Sequence, residues 1–407
     1  MVTERPTRNR LGQLTDALER AGVYGRGGAG FPTATKLRAV AAQRGRPIIV
    51  VNAAEGEPLS HKDRYLLTDR ADTVLDGADA AAEALGANEI IIAIDQAMRV
   101  EADTIAKAAQ ARRGQHRRSL RTIVQIVPSG YITGQESALI SALAGRAAKP
   151  TFTPPYPFER GLRGHPTLVS NTETYSQIGR VARGTYDGSR LVAVGGAVAE
   201  PGLMEIGSDT TMAGLLQGAG GLAEPVHGVL LGGYAGTWSR VADVTPLRLD
   251  EHSLRERQLT LGAGIVFFLG DSACPVAEVA RVVSWMAEES AGQCGPCIHG
   301  LGAIAAALVE LTARGDQFAT YGQIRRWSGL IQKRGACAHP DGVARFVTTA
   351  LDVFAAAFDD HARHGSCERC ALSSALPTPR RRRDRNHSRA AAPRGRQSAL
   401  WDLGGSR

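Results

Sequence analysis

The first 273 residues contain no cysteine. All six cysteines of the 407-residue chain (Cys274, Cys294, Cys297, Cys337, Cys367 and Cys370) fall in its last third. A disulfide framework would spread its cysteines, so this clustering points to a metal-binding module in a reducing compartment. Long apolar runs are also missing. No stretch approaches about 18 uninterrupted apolar residues, so no membrane-spanning helix is expected. The opening Met1-Val2-Thr3-Glu4-Arg5-Pro6 lacks the apolar core of a signal peptide, and a cytoplasmic protein is expected. There is no P-loop, no Ser–His–Asp arrangement and no pair of carboxylates suggesting hydrolysis, which sets aside the common hydrolase classes.

The net charge of +8 is concentrated at one end. Residues 380–407 carry nine arginines against Asp384 and Asp402, a local +7 that leaves the body nearly neutral. Low hydrophobicity and like-charge repulsion predict a disordered, solvated tail over 373–407. Trp401 is the tail's only aromatic residue and lies outside the arginine cluster, so base stacking and nucleic-acid binding are not expected.

What is present reads as a multidomain α/β protein. Residues 1–185 alternate helical and strand patterns. Leu11–Ala21 and Ala71–Leu85 have helical spacing, whereas Pro47–Val51, Glu89–Ile94 and Arg121–Val127 are short apolar runs of the kind buried in parallel sheets. Residues 186–255 are strand-rich with Gly/Pro turns, as in Leu191–Gly196 and Val229–Gly233, and predict a small α+β module. Residues 256–372 are helical, with helices expected at Val276–Glu289, Gly300–Arg314 and Val343–Phe358, and they hold the cysteines.

Four segments carry the chemistry. Gly25-Arg26-Gly27-Gly28-Ala29-Gly30-Phe31 holds four glycines in six residues, which lets backbone N–H groups approach a phosphate or a flat ring. Its spacing matches a dinucleotide fingerprint, but a helix rather than a strand precedes it, so the Rossmann reading fails on context. Arg26 and Lys36 can neutralise a phosphate. Asn52-Ala53-Ala54-Glu55-Gly56-Glu57-Pro58 follows the first strand, at the sheet end where open α/β proteins bind ligands. Tyr131-Ile132-Thr133-Gly134-Gln135-Glu136 follows the third strand. Pro154-Pro155-Tyr156-Pro157, with Asn171-Thr172-Glu173 beyond it, completes the set.

In this order and spacing, the four segments resemble the 51-kDa-type, NADH-oxidising flavoprotein subunit of respiratory complex I and its relatives in NAD-linked dehydrogenases. The resemblance covers roughly residues 20–360. It implies an FMN-binding α/β domain, an SLBB-like β-grasp domain and a helical iron–sulfur domain. Gly25, Arg26, Gly27, Lys36, Asn52, Glu55, Gly134, Asn171 and Thr172 would contact FMN. Phe31, Glu57, Glu136 and Tyr156 would line the NADH side, the aromatics by stacking. Hydride from NADH would reach FMN, and single electrons would pass to an iron–sulfur cluster and a partner. That partner would be a [2Fe–2S] thioredoxin-like subunit or a ferredoxin, and the chain would be cytoplasmic or peripheral at the cytoplasmic face of a membrane complex.

The departures from the family pattern fall in the site. The family's Asn-Ala-Asp-Glu-Gly-Glu-Pro-Gly has Ala54 and Leu59 here, its Gly-Glu-Glu has Gln135, and its basic residue before the Pro-Pro-aromatic-Pro run is Thr153. Each lost polar contact costs on the order of 1–3 kcal/mol, enough together to weaken NADH roughly a hundredfold. The family's Cys-Gly-x-Cys-x-Pro-Cys begins with Ala291 here, leaving Cys294, Cys297 and Cys337. Three thiolates hold [3Fe–4S], or [4Fe–4S] with a fourth ligand from Cys274, Ser290, Cys367 or Cys370. Cys274 lies some fifteen residues away along a predicted helix, about 20 Å, so the C-terminal pair is favoured. Two other readings of the cysteines stand beside this one: a dithiol at Cys294-Gly295-Pro296-Cys297, and zinc held by two Cys-x-x-Cys pairs. Two other functions do as well: a flavoprotein exchanging electrons with a ferredoxin rather than NADH, and a non-catalytic subunit that kept the fold.

Overall fold

The computed structural model describes residues 4–112, 120–372 and 374–379. Of the tail expected to be disordered over 373–407, residues 374–379 are instead hydrogen-bonded to Tyr234, Glu278 and Trp285, and the basic run 380–407 lies outside the described residues. The first sheet is fully parallel. Its strands are β1 (Ile48–Ala53), β2 (Glu89–Asp95), β3 (Arg121–Val127) and β4 (Thr167–Asn171), in the order β3-β2-β1-β4. β1 and β2 are buried almost throughout, which is why both read as unbroken aliphatic runs rather than alternating ones.

Helices Ala71–Leu85 and Thr172–Ala182 cross backbone to backbone on one face of this sheet. A Cβ on Gly77 would sit 1.8 Å from the Tyr175 carbonyl oxygen, and one on Gly179 2.3 Å from that of Thr73. Only glycine at these two positions permits so close an approach. The crossing fixes where Asn171 and Thr172, at the start of the second helix, stand relative to β1.

A second, mixed sheet follows. Its strands are β5 (Arg190–Gly196), β6 (Gly202–Ile206), β7 (Val226–Leu231), β8 (Thr237–Ser239) and β9 (Ile265–Gly270), in the order β6-β5-β9-β7-β8, with β5 and β9 parallel at the centre. The boundary expected at residue 255 is therefore too early: β9 is the middle strand, and the sheet ends at Gly270. Alternation along the strands gives it two faces. Val229, Leu231, Val266 and Phe268 pack with Leu215 of helix Met212–Gly218. Leu230, Phe267 and Leu269 join the core of the helical region.

That region contains helices Pro275–Glu288, Gly302–Leu311, Phe318–Ile331, His339–Val353 and Ala355–His364. The expected helix Val343–Phe358 is broken at Phe354, whose buried ring packs on Trp238 with centroids 4.9 Å apart. The start of the expected helix Gly300–Arg314 belongs to a π-helical turn, Pro296–Leu301, directly after the Cys294 loop; π-bulges of this kind are frequent at functional sites. Among the described residues no helix is long and apolar enough to cross a membrane.

Candidate functional site

The glycine loop lies against the C-terminal end of β4 and the helix that follows it, where Arg26 N donates to Thr174 Oγ1 at 2.9 Å. Gly25 N donates to Phe31 O at 2.8 Å and closes the loop. A Cβ on Gly27 would stand 3.4 Å from the Asn171 side chain, while Gly28 (φ +110°) has open space where a Cβ would be. The backbone is open at Gly28, while Arg255 covers Gly30 by donating to its carbonyl oxygen; an exposed glycine backbone of this kind is what a phosphate or ring cradle requires.

The two asparagines brace this edge. Asn52 Nδ2 donates to Gly134 O at 2.7 Å, and its Oδ1 accepts from Ala54 N at 3.2 Å. Asn171 Nδ2 donates to both carboxylate oxygens of Asp63 at 3.1 and 2.9 Å, and its Oδ1 accepts from Glu173 N at 3.1 Å. Thr172 Oγ1 donates to Asn52 O at 3.2 Å. Gly134 is needed for the same bracing, since a Cβ there would lie 2.7 Å from Ala54 O. Glu55 is also engaged, accepting from Ser60 Oγ at 2.5 Å and from Asp63 N at 3.1 Å.

Behind the loop lies a charge network that sequence reasoning missed. Lys62 Nζ donates to Glu173 Oε2 at 2.9 Å and to Arg26 O at 2.6 Å, with both side chains 4% exposed. Burial alone would raise the Glu173 carboxyl, but the charges of Lys62, Arg26 and Arg190 outweigh it and hold the pKa below the usual value. Arg26 is not a free cation. Its Nε donates to Gln177 Oε1 at 3.2 Å and its Nη1 to Glu251 Oε1 at 3.2 Å, so it ties the loop to the second domain. Arg190 shares Glu251. Asp63, buried and close to Glu55, has its pKa raised well above the usual carboxylate range.

The residues expected on the nucleotide side fall into two groups. Phe31 and Tyr156 are large and open, 50% and 46% exposed, with Tyr156 stacked on Phe158 at 5.4 Å. Lys36 donates to Glu136 and, at 2.6 Å, to Val169 O. Glu57 instead turns its carboxylate inward, where Oε2 accepts from Tyr234 N at 2.9 Å and Tyr131 OH at 3.4 Å. Burial raises its pKa to about 7. Gln135 is spent as a helix cap, accepting from Ala138 N at 2.9 Å.

The cysteine loop lies next to this edge. Cys297 is buried in the π-helical turn, with Cys294 and Cys337 close enough to repel its thiolate and the Ser290 hydroxyl positioned to donate to it; its pKa is pushed up to about 12, chiefly by burial. Burial likewise raises the Cys337 thiol; an iron centre that binds these sulfurs as thiolates supplies the positive charge that offsets this. The loop after β3 spans from one site to the other. Gly134 packs on Ala54, while Tyr131 N donates to Glu289 Oε2 at 2.8 Å and the Tyr131 ring meets His339 and Trp285, each with centroids 5.6 Å apart.

The C-terminal pair is elsewhere. Cys367 and Cys370 face Cys274 and His361, not the Cys294–Cys297–Cys337 group. The expectation that this pair completes the cluster is therefore overturned, as is zinc held by two Cys-x-x-Cys pairs. Chain separation is the reason. Cys274 is indeed remote from Cys294 along its helix, but helix Ala355–His364 folds back and brings His361, Cys367 and Cys370 to the helix start.

Against known families, residues 18–180 match the Nuo51 FMN-binding domain, and residues 277–361 match the NADH-ubiquinone oxidoreductase-F iron–sulfur binding region. The chain belongs to the family of complex I 51-kDa-type flavoproteins. It is 29% identical to an F-type NADH-quinone oxidoreductase subunit of Rhizobium meliloti, over 89% of this chain and 93% of that protein. It is 27% identical to the F-type NADH-quinone oxidoreductase subunit of Streptomyces coelicolor, over 86% and 83%. In the solved NAD+-reducing [NiFe]-hydrogenase in its H2-reduced state, a chain 27% identical superposes with a TM-score of 0.77 over 88% of this one. The present chain spans 64% of that hydrogenase chain's length.

Within this family frame, the open glycine surface and the braced strand ends fit an FMN, and the three gathered thiols fit an iron–sulfur cluster. The matched iron–sulfur region includes Cys294, Cys297 and Cys337, and leaves out Cys274, Cys367 and Cys370. His361 had a legible signal, His-x5-Cys-x2-Cys, a spacing common to metal knuckles. Lys62, Asp63 and Glu289 had none, since single charges in loops and at helix ends are ordinary in sequence.

Proposed function

We propose that this chain is an NADH-oxidising electron-transfer subunit in which FMN lies in the Gly25–Gly30 cradle and an iron–sulfur cluster is held by Cys294, Cys297 and Cys337. The observation that carries this reading is the 128–135 loop, which touches Ala54 at the strand ends and Glu289 and His339 beside the cysteines. When bound, FMN supplies hydride acceptance from NADH and the cluster supplies one-electron transfer. Gly25, Gly27 and Gly134 keep side chains out of the cradle. Asn52, Asn171 and Thr172 hold β1, β4 and the loop at fixed spacing. Lys36, with Glu136 and Val169 O as its anchors, sets a cation at the rim for phosphate. Phe31 and Tyr156 offer exposed faces for an adenine. Glu57 braces the second domain against β1 rather than meeting nucleotide.

Ser290, within reach of Cys297, stands where an oxygen ligand can replace the thiol absent at Ala291. The order β6-β5-β9-β7-β8, with its central parallel pair, supports the SLBB-like β-grasp reading of the second domain. A small [2Fe–2S] protein or a ferredoxin is the partner class this chemistry calls for, at a peripheral position in the cytoplasm.

The test is an anaerobic visible spectrum of the full chain, purified with flavin and iron supplied, before and after NADH. Bleaching of flavin and iron–sulfur absorption within seconds is expected; a colourless protein would overturn the reading in favour of a non-catalytic subunit. One observation favours a second reading. Gln135 is tied up as a helix cap and Ala54 offers no carboxylate, so the nucleotide side has lost polar contacts. Bound cofactors that ignore NADH but accept electrons from dithionite or a reduced ferredoxin would establish that alternative.

A further inference from the structure

The second cysteine group has its own geometry. Cys274 Sγ lies 3.5 Å from Cys370 Sγ and 3.4 Å from His361 Nε2. Cys370 Sγ lies 3.3 Å from the same nitrogen and 3.6 Å from Cys367 Sγ. All four ligand atoms fall within 4.8 Å of one another, and among the described residues no other three or more His, Cys, Asp or Glu ligands converge so tightly. Four ligands bound tetrahedrally to one zinc ion at about 2.0–2.3 Å stand roughly 3.4–3.8 Å apart. The thiolates of a [4Fe–4S] cluster sit on separate irons and must stand farther apart. The spacing therefore fits a single ion.

The surroundings are arranged to match. His361 Nδ1 lies 2.9 Å from Ala357 O; donating its proton there leaves the Nε2 lone pair aimed at the sulfurs, as metal-bound histidines require. Ala277 N donates to Cys274 Sγ at 3.4 Å, and Cys370 N donates to Cys367 O at 3.1 Å to form the knuckle. Arg369, between the two knuckle cysteines, donates to Asp271 O and Oδ1 at 2.6 and 2.8 Å and pins the knuckle beside Cys274.

We propose that Cys274, His361, Cys367 and Cys370 form a second metal site, a closed Cys3His centre for one structural zinc ion, separate from the iron–sulfur cluster. Four protein ligands leave no open position, which assigns the ion to structure rather than to chemistry. It joins the start of helix Pro275–Glu288 to the end of helix Ala355–His364 and to the chain that follows. The site does not depend on the flavin or on NADH.

The full chain, produced with iron and zinc both supplied, is assayed by elemental analysis and by zinc-edge X-ray absorption. About one zinc per chain, in addition to iron and with three sulfur neighbours and one nitrogen, is expected. The C367S/C370S double variant should lose that zinc and keep the iron and visible absorption of the parent. Absence of zinc from the parent, or a Cys367–Cys370 disulfide in protein purified anaerobically, overturns the proposal. So does loss of iron rather than zinc in the double variant, which would return these cysteines to the cluster. The X-ray absorption spectrum is read on the unaltered chain, so a variant that fails to fold still leaves a decisive measurement.

Discussion

The backbone amide of Tyr131 donates to the carboxylate of Glu289 at 2.8 Å, and this one bond joins the loop beside the strand ends to the segment that opens the cysteine turn. Glu289 is nearly inaccessible to solvent. Replacing it with alanine leaves a buried amide without its acceptor, at a cost of about 1–3 kcal/mol. E289A is expected to lower the thermal midpoint by several degrees. In stopped-flow traces with NADH, cluster bleaching should lag flavin bleaching more than in the parent. Identical traces and an unchanged midpoint would show that the bond couples nothing.

Glu57 predicts a pH dependence. Its carboxyl is ordinary at 4.5 when unfolded and is raised to about 7 by burial in the fold. Between these values the folded form keeps a proton that the unfolded form has lost, so stability falls as pH rises through the window and the penalty is complete above it. The upper bound is about 3 kcal/mol. E57Q keeps an oxygen for the Tyr234 amide and removes the titration. The difference in unfolding free energy between variant and parent should grow in the variant's favour from about pH 5 to about pH 8. Asp63 is raised in the same direction and is present in both proteins, so it cancels from the comparison.

The Lys62–Glu173 pair predicts asymmetry. Removing one partner strands a buried charge, which costs about 3–5 kcal/mol, whereas replacing both with apolar residues of similar size costs far less. K62M is expected to destabilise the chain strongly in urea unfolding, and K62M/E173L to recover much of the loss. Equal destabilisation by the single and double variants would show that the ions contribute through specific bonds to the Arg26 carbonyl and the Leu191 amide.

Ala291 predicts a gain. A291C restores the fourth thiol of the family pattern and should move the cluster from three thiolate ligands to four. Iron content should rise towards about four per chain, with the electron paramagnetic resonance signal of an oxidised three-iron centre, where the parent has one, giving way to that of a reduced four-iron centre. An unchanged spectrum would mean that Ser290 or a solvent molecule already completes a four-iron cluster.

Much of the first domain is legible in the sequence because β1 and β2 are buried almost throughout, and burial writes itself as unbroken aliphatic runs. The Ala71–Leu85 helix, with its apolar residues at helical spacing, and the partly buried edge strand β3 also fall at their expected limits. The glycine loop and the strand-end motifs are legible because close backbone approach demands particular residues. Contacts between distant segments are not. Gly77 reads as a helix flaw until Tyr175 is set against it, and G77A, which looks favourable on helix propensity, is expected to cost several kcal/mol because a backbone oxygen occupies the space. β9 is hidden because its partners β5 and β7 lie dozens of residues earlier, so its six residues read as a prelude to the helix that follows. Cys274 reads as isolated because its partners stand at the far end of the helical region, and only the fold brings them back to it.

The last described segment bears on how the chain can be cut. Glu278 accepts from the amides of Ala375 and Leu376, Tyr234 OH donates to Pro377 O at 2.6 Å, and Trp285 Nε1 donates to Pro379 O at 2.8 Å. Trp285 meets both Tyr234 and Tyr131 edge to face, so the three rings form one cluster. Removing the arginine run for crystallisation is therefore harmless only if the new end falls after Pro379. A stop codon a few residues earlier would strip two hydrogen-bond acceptors and a buried leucine from the rings under the Tyr131 loop, and a trimming made for convenience would be read as a redox defect.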